Sequence, residues 1–449
     1  MASTSSAAEP SHPVVFTTQT PYPLPSQKFM IPTSWKRYQL SQLVNKALSL
    51  LKPVPFDFLV RGEILRATLG EWCAEKGIGE EETLEIEYFE SVMPPQKMST
   101  LPHEDWVSSV SCQISSYFLT ASYDGSIRTF DYSQQLLHTS TTHSAPITCI
   151  CIVPSSSPDG HIIASASHDL TARLTKLTLS TSDSPDFTPR TEPLASLHLH
   201  TAPVSSIAAS PSGAHLLTSS WDSFIGLWDA AIPDSDEVPL EDVQPDTDRK
   251  KRRKVTHDDE PRPKRKAPVG VLKSHTARVS RVVFTRGGDS AAYSCGFDST
   301  VRSWDVENSV CTNIITAASK PFLDLAVTQS GNTVLAASTD RTISQYDLRA
   351  ATSSTATPSL ATLAHPATPS CIAPVSSSEH QLLSGAYDGV VRLWDLRSVR
   401  GAVTSFKVWE GNQGGKVLAL DWARGIVGVG GEGGVEVWRV GQGERAFLS

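Results

Sequence analysis

Three successive glutamates, Glu80, Glu81 and Glu82, follow Gly77 and Gly79 in the stretch KGIGEEETLEIEY. Carboxylate oxygens are the hard ligands that Mg²⁺ prefers, and three of them on one loop repel one another. The residues alone leave two interpretations open. The glutamates are either a solvated loop tip or acids offered to a positive group on another molecule.

A second set of candidate residues pairs a histidine with an aspartate that lies 21 to 26 residues later in the chain. A histidine beside a carboxylate also forms catalytic dyads, but repetition at one period favours a structural role. A buried ring N–H needs an acceptor, and the aspartate supplies it. The pairs are His103 with Asp124, His143 with Asp169, His200 with Asp222, His275 with Asp298, and His365 with Asp388.

These acids belong to seven related segments, from SYDGSIRTFD at 122–131 to GEGGVEVWRV at 431–440. Successive acids are 45, 53, 76, 42, 48 and 44 residues apart. Apart from the long interval, this is the period of a four-stranded propeller blade. The sequence therefore predicts a seven-bladed β-propeller over residues 101–445. The segments resemble WD repeats, a family in which a His–Asp hydrogen bond holds a turn.

The long interval contains an insertion at about 230–270 that begins acidic, becomes basic and has few large apolar residues. Such a composition predicts a disordered loop between blades three and four. Its two basic clusters fit a bipartite nuclear import signal or a contact with RNA phosphates. They are Arg249, Lys250, Lys251, Arg252, Arg253 and Lys254, followed by Lys264, Arg265 and Lys266.

Residues 14–93 do not show the propeller period. Two strands, a helix carrying an apolar stripe, a third strand, a short helix and a last alternating strand predict a ubiquitin-like β-grasp domain. A disordered tail at 1–13 is expected to precede this domain, and a linker at 94–100 to follow it. The predicted fold class is therefore mainly β, a β-grasp domain followed by a propeller.

The stretch PVPFDFLVRGEILRATLGEWC, followed by LEIEYFESVMPP, EDWVSSV and the repeats, resembles the NLE (Notchless-like) domain joined to a WD-repeat propeller. Ribosome biogenesis proteins of the Ytm/WDR type have this layout, with a basic insertion between blades three and four. The resemblance covers the chain after residue 13.

The resemblance implies a non-enzymatic assembly factor of the large (60S) ribosomal subunit that acts in pre-rRNA maturation in the nucleolus and nucleoplasm. The implied partners are a Bop-type propeller subunit and pescadillo (together the PeBoW complex), the pre-60S particle with a possible rRNA contact, and the AAA ATPase midasin. Midasin would grip the ubiquitin-like domain through Mg²⁺ held in its own adhesion site, for removal from the particle. In the NLE family the metal-binding glutamate lies four residues after the glycine of the KG pair, which is Glu81 here, with Glu80 and Glu82 as alternatives.

Other classes of function are disfavoured. No phosphate-binding G-x-x-x-x-G-K-[ST] loop, nucleophile elbow or zinc motif is present, so we expect no enzyme activity, no cofactor of the chain's own and no small-molecule substrate. The formal charge of −8 argues against general nucleic-acid coating. No apolar stretch reaches 18 residues and no secretory signal is expected, so no membrane role is predicted. The alternative is a WD-repeat substrate receptor of a cullin ubiquitin ligase, suggested by YDLR at 346–349 and WDLR at 394–397.

Overall fold

A computed structural model describes residues 10–50, 52–79, 81–155, 160–179, 189–238, 262–316, 320–348, 359–375, 378–409 and 415–441. The chain divides into two compact units. The first comprises Met1–Pro94, Arg397–Gly401 and Gly441–Ser449, and the second comprises Pro95–Leu396 and Ala402–Val440. Within the described residues, no helix is both long enough and apolar enough to cross a membrane.

The front domain is one mixed five-stranded sheet with two helices. Its strands are β1 (Ser11–Thr17), β2 (Lys28–Pro32), β3 (Phe56–Val60), β4 (Glu63–Ile64) and β5 (Leu84–Glu90), and its helices are α1 (Arg37–Leu48) and α2 (Leu69–Lys76). The strand order is β2-β1-β5-β3-β4, in which β1 and β5 are parallel and the other pairs are antiparallel. This arrangement agrees with the predicted β-grasp domain, although β1 begins inside the predicted tail.

The side chains of β5, the central strand of this sheet, alternate between the core and the opposite face. Leu84, Ile86 and Tyr88 are fully buried and share one core with α1, whose Leu40 and Val44 are also fully buried. The intervening glutamates face away from that core because successive side chains of a strand point to opposite faces. The last strand is therefore anchored directly behind the acidic loop.

Within the described residues, the second unit contains seven sheets, each built on four antiparallel strands, so the predicted fold is confirmed. The inner strands of blades 1–7 are β7 (Val107–Ser111), β11 (Ile147–Val153), β15 (Val204–Ala209), β20 (Val279–Phe284), β24 (Phe322–Val327), β28 (Pro369–Pro374) and β32 (Val417–Ala423). The second strands are β8 (Tyr117–Ser122), β12 (His161–Ser167), β16 (His215–Ser220), β21 (Ala291–Gly296), β25 (Thr333–Ser338), β29 (Gln381–Ala386) and β33 (Ile426–Gly431).

The third and fourth strands complete each blade towards the outside. The third strands are β9 (Ser126–Asp131), β13 (Thr171–Thr178), β17 (Phe224–Asp229), β22 (Thr300–Asp305), β26 (Thr342–Asp347), β30 (Val390–Asp395) and β34 (Gly434–Arg439). The fourth strands of blades 1–6 are β10 (Leu136–Thr141), β14 (Arg190–His198), β19 (Gly270–Lys273), β23 (Val310–Thr316), β27 (Ala361–Ala364) and β31 (Thr404–Lys407).

Blade 7 takes its fourth strand from the beginning of the propeller. This strand, β6 (Gln96–Leu101), pairs antiparallel with β34, so that Leu101 stands opposite Val435 and Gln96 opposite Arg439. The prediction of a linker at 94–100 was therefore wrong. The segment is mostly exposed, so its sequence does not resemble that of a core strand. It forms a strand only by pairing with β34, which lies more than 300 residues later in the chain.

The insertion also differs from its prediction. Residues 239–261 lie outside the described part of the chain, but residues 262–270 contain a strand, β18 (Lys264–Lys266), and the start of β19. β18 adds a fifth, parallel strand to blade 2 beside β14. Asp236 Oδ1 accepts the Arg265 N–H at 2.7 Å, and Glu237 Oε2 accepts the Ala267 N–H at 2.9 Å. The acidic start of the insertion thus fixes its basic end.

Candidate functional site

The acidic loop connects α2 to β5. The helix ends in Gly77, whose φ of 66° is the left-handed conformation that favours glycine. The Gly77 and Ile78 N–H groups bond back to carbonyls of the last helical turn, and the Glu82 N–H bonds to the Gly79 carbonyl at 3.2 Å. Both ends of the loop are thus hydrogen-bonded, which is the support that an acid needs if it is to be presented to another molecule.

The loop glutamates differ in their surroundings. Glu82 forms a salt bridge with Arg61, and both side chains are about half exposed. Glu81 is exposed and, among the described residues, has no ion-pair or hydrogen-bond partner. Glu80 lies outside the described residues. Of the two glutamates that can be compared, Glu81 alone can bind a metal ion without breaking an internal contact.

The His–Asp pairs of blades 2, 3 and 4 are hydrogen-bonded. The distances from His Nδ1 to the carboxylate are 2.8 Å for His143 and Asp169, 2.9 Å for His200 and Asp222, and 2.8 Å for His275 and Asp298. In blade 4 the other ring nitrogen bonds Ser294 Oγ, which also accepts the Trp304 indole N–H. Each group in this series of hydrogen bonds has its partner inside the blade, so the arrangement is structural and offers no free group to a substrate.

The electrostatics of the pairs agree with that role. Burial alone would raise the pKa of Asp298, but the hydrogen bonds that its carboxylate accepts, first from His275 and then from Thr300 and Thr276, hold the pKa well below its usual value. Burial lowers the pKa of His275, against the effect of Asp298. A neutral histidine with Nδ1–H donating to an ionised aspartate satisfies both groups.

The predicted hydrogen bond between His365 and Asp388 in blade 6 was wrong. His365 Nε2 bonds Ser384 Oγ at 3.1 Å, but Asp388 is held by Arg392, with an Oδ2–Nη2 distance of 2.7 Å. In blades 3 and 4 the residue after the histidine also donates its N–H to the aspartate. Blade 6 has Pro366 there, which has no N–H to donate. In blade 1, His103 Nδ1 likewise bonds the Leu101 carbonyl at 3.0 Å, while Asp124 bonds Arg128.

Hydroxyl groups join five of the seven blades to the next. The second residue of the inner strand donates to the first carbonyl of the following inner strand, at 2.5 to 2.7 Å. These residues are Ser108, Thr148, Ser205, Ser280 and Ser370. Blades 5 and 7 have Leu323 and Leu418 instead. There a carboxylate takes over: buried Asp324 accepts the Ile372 N–H at 2.8 Å, and partly buried Asp421 accepts the Cys112 N–H at 2.7 Å.

We expect Asp421→Leu to destabilise the propeller by about 1–3 kcal/mol, because it leaves the buried Cys112 N–H without an acceptor. Asp421→Asn keeps an acceptor oxygen and removes a charge whose burial raises the pKa of Asp421, so its stability at pH 7 should equal or exceed that of the wild type. Urea denaturation of both variants measures the difference. Equal losses in both would contradict a junction role that rests on the acceptor alone.

Of the two basic clusters, the structure describes only the second. The cluster at 249–254 lies outside the described residues. In the second cluster Lys266 is buried, with 3% relative exposure, and its Nζ donates to the Ala231 carbonyl. The hypothesis that Lys264, Arg265 and Lys266 stand together on a flexible loop was therefore wrong, because they form β18 and Lys266 is needed for packing.

Sequence analysis missed an arc of aromatic rings, which we call the aromatic arc. Five repeats carry a ring directly before the blade acid, namely Tyr123, His168, Trp221, Phe297 and Tyr387, and Trp106 precedes the first inner strand. Adjacent centroids are 5.8 Å apart for Trp106 and Tyr123, 6.5 Å for Tyr123 and His168, and 5.3 Å for His168 and Trp221. The recurrence of rings at that position was the signal that could have revealed it.

Metal sites of the chain's own were not expected, and in the described segments no cluster of three or more His, Cys, Asp or Glu residues is arranged to hold a metal ion. All seven cysteines are free, and burial raises the pKa of the thiols of Cys112, Cys295 and Cys371, which disfavours the reactive thiolate.

Family models match both units. The model described as the NLE (NUC135) domain matches residues 13–73. The model described as the WD domain, G-beta repeat, matches residues 95–131, 134–175, 191–229, 266–305 and 357–395. The first WD match begins before β6, in agreement with the place of that strand in blade 7.

Related proteins extend along the whole chain. A protein of Laccaria bicolor named Ribosome biogenesis protein YTM1 is 60% identical over 99% of this chain and 100% of its own length. Proteins of the same name from Coprinopsis cinerea and Saccharomyces cerevisiae are 56% and 34% identical, over 97% and 89% of this chain and 96% and 90% of their own lengths. The chain belongs to the family of ribosome biogenesis proteins YTM1.

Proposed function

We propose that the chain is a non-enzymatic assembly factor of the large (60S) ribosomal subunit, needed for pre-rRNA maturation. Its relatives are named for ribosome biogenesis. The observation that carries the proposal within the structure is Glu81, an exposed carboxylate without a partner on a loop whose two ends are hydrogen-bonded. A binding function with a defined site is thus supported by the relatives and by the geometry together.

In this proposal, Glu81 completes the coordination of a Mg²⁺ ion that the adhesion domain of midasin holds. Mg²⁺ requires oxygen ligands at about 2.0–2.1 Å and gives up water reluctantly, so the incoming carboxylate must be accessible and presented in one orientation. The Arg61–Glu82 salt bridge occupies one neighbouring acid, whereas Glu81 has no such partner among the described residues. The ATPase then uses this grip to remove the factor from the pre-60S particle.

The propeller serves the same proposal as the scaffold of a PeBoW-type complex, with a Bop-type propeller subunit and pescadillo as partners. Affinity purification of the tagged full-length chain from a nuclear extract at physiological salt tests this role. We expect pre-60S assembly factors to copurify with it. Recovery of cullin adaptors in their place would support a ubiquitin-ligase receptor and contradict the proposal.

Nuclear import is assigned to the cluster at 249–254, because the second basic cluster is part of a blade. Replacing Arg249, Lys250, Lys251, Arg252, Arg253 and Lys254 with alanine should reduce nuclear accumulation of a fluorescent fusion without changing its stability. Lys266→Ala should instead lower the melting temperature, since its Nζ bonds a backbone carbonyl of the chain. An unchanged nuclear signal in cells depleted of the partner subunits would remove the import hypothesis.

A further inference from the structure

The third residue of each inner strand points towards the centre of the propeller. In all seven blades the pairing between the inner and second strands shifts at the same place, between the first and the third residue of the inner strand. The third residues therefore share one orientation. They are Ser109, Cys149, Ser206, Arg281, Asp324, Cys371 and Ala419.

Arg281 connects three of these positions. Its Nη1 donates to Cys149 Sγ at 3.5 Å, so the side chain reaches from blade 4 to blade 2. Its Nε lies 3.4 Å from Asp324 Oδ1 in blade 5. A contact between blades 2 and 4 forms on the inner side of the ring, because blade 3 separates them elsewhere. The guanidinium therefore lies in the propeller channel, with a thiol on one side and a carboxylate on the other.

Solvent reaches the guanidinium, although the thiol itself is enclosed. The Arg281 side chain is 39% exposed, whereas Cys149 is 2% exposed. Because an inner strand borders the central channel of a propeller, the exposed part of Arg281 faces the channel. A reagent that follows this route to the sulfur must be nearly as small as water and must form hydrogen bonds as water does.

The guanidinium favours the ionised form of the Cys149 thiol. A positive charge beside a cysteine stabilises its thiolate, which is the nucleophilic form. The attraction acts in both directions, since Cys149 first, and then Asp324, raise the pKa of Arg281 above its usual value against the effect of burial. For the thiols of Cys371 and Cys295, burial is the largest effect and raises the pKa. The contact with a guanidinium therefore makes Cys149 more nucleophilic than these two thiols.

Two donors beside the sulfur make no hydrogen bond. Ser206 is fully buried, and its Oγ has no hydrogen-bond partner among the described residues. This serine belongs to blade 3, which stands between the blades of Cys149 and Arg281, and it shares their orientation. The Arg281 Nε–H likewise makes no hydrogen bond within the described part of the chain. An oxygen atom attached to Cys149 Sγ would supply the acceptor that both donors lack.

We propose that Cys149 is a peroxide-reactive thiol that forms a sulfenic acid in the propeller channel. The Cys149 thiolate attacks one oxygen of hydrogen peroxide, an S–O bond forms and the O–O bond breaks. The sulfur is oxidised and the peroxide is reduced. The departing hydroxide takes up the proton that the thiol released and leaves as water. The oxygen that stays on the sulfur accepts hydrogen bonds from Ser206 Oγ and from Arg281.

Oxidation of the full-length chain, followed by mass spectrometry, tests the proposal. The reduced protein is treated with hydrogen peroxide, catalase stops the reaction, and unfolding in dimedone labels any sulfenic acid. Fragment spectra give the rate at which each free thiol is lost. We expect Cys149 to react about tenfold or more faster than Cys371 and Cys295, since one unit of thiol pKa changes the thiolate fraction tenfold. Cys149→Ser should remove the dimedone label.

The two slower thiols are matched controls. Cys371 occupies the same position in blade 6 as Cys149 does in blade 2. Cys295 is fully buried in the second strand of blade 4, so its oxidation reports opening of the propeller. A variant that merely loosens the fold should speed the oxidation of Cys295, whereas a variant that acts on the Cys149 thiolate should not.

Variants of the neighbouring residues separate activation from exposure. Arg281→Gln removes the charge and keeps hydrogen-bonding groups, so it should slow the oxidation of Cys149 by about tenfold or more. Arg281→Lys keeps the charge and should retain more of the rate. Ser206→Ala removes one neutral donor and should slow the reaction by about two- to tenfold.

Two results would overturn the proposal. The first is a wild-type protein in which Cys149 reacts no faster than Cys371 and Cys295, and this comparison does not depend on the folding of any variant. The second is one common rate of Cys149 oxidation in the wild type, Arg281→Gln and Arg281→Lys, with Cys295 equally protected in all three, which would show that the guanidinium does not activate the thiol.

Discussion

Glu81→Ala is expected to abolish Mg²⁺-dependent binding of the full-length chain to the adhesion domain of midasin. The change removes the ligand oxygen and leaves the metal ion with an uncompensated site in the interface. Loss of one partner from a desolvated charge pair costs about 2–5 kcal/mol, which is roughly a thirtyfold or larger loss of affinity. Surface plasmon resonance with the immobilised adhesion domain, in Mg²⁺ and in EDTA, measures it.

The neighbouring acids provide the controls. Glu82→Ala breaks only the exposed pair with Arg61 and should retain most of the affinity, since exposed pairs contribute about 1 kcal/mol or less. Glu81→Asp should weaken binding, because its carboxylate is shorter by one methylene. EDTA should reduce the wild type to the level of Glu81→Ala and have no further effect on that variant. Normal binding by single alanine variants of all three glutamates would eliminate this loop as the ligand.

Asp298→Ala is expected to cost about 3–5 kcal/mol of propeller stability, since removal of one member of a buried charged network leaves the others uncompensated. The Asp298 carboxylate accepts from the His275 ring, from the Thr276 and Thr300 N–H groups, and from the Arg302 guanidinium, itself only 5% exposed. Denaturation in urea, followed by tryptophan fluorescence, measures the loss.

Asp388→Ala in blade 6 is the matched control. That aspartate pairs with Arg392 and has no hydrogen bond to His365, and its side chain is 28% exposed. We expect a loss of about 1 kcal/mol. An equal loss in the two variants would show that the histidine contributes nothing to the effect.

The same comparison predicts a dependence on pH. Because the folded protein lowers the pKa of Asp298, the stability it contributes is present above the ordinary aspartate pKa and is lost as the pH falls through the lowered value. The gap between wild type and Asp298→Ala should be constant from pH 7 to about pH 5 and should narrow below about pH 4. A gap that widens in acid would reverse the assigned direction of the shift.

Most of the fold could be predicted from local patterns and from repetition in the sequence. The alternation in β5 and the period of the acids needed no tertiary information, and both the β-grasp domain and the seven blades follow from them. The pairing of β6 with β34 did not follow, because an exposed segment such as QKMSTL becomes a strand only through a partner at the far end of the chain. β18 was missed for a related reason, since its charges indicated a signal and its hydrogen-bond partners lie in the preceding acidic stretch.

The sites divide in the same way. The spacing between histidine and aspartate predicts the hydrogen bonds of blades 2, 3 and 4. That spacing is 23 residues in both blade 4 and blade 6, however, and only blade 4 has the bond. Blade 6 has Pro366 directly after the histidine, where blade 4 has Thr276, whose N–H bonds the aspartate. The sequence also could not predict that Glu82 is paired and Glu81 is not, because this depends on where Arg61 lies in the folded domain.

The closing strand has a mechanical consequence. Residues 91–95, which include Pro94 and Pro95, are all that separates the end of β5 at Glu90 from the start of β6 at Gln96. If the proposed ATPase pulls on the front domain, tension transmitted along the chain reaches the propeller at Gln96, whose backbone partner is Arg439. The strand that receives this load is the one that ties the first part of the propeller to its last blade. A pull strong enough to peel β6 from β34 would leave blade 7 with an open edge, so extraction and partial unfolding would become a single event.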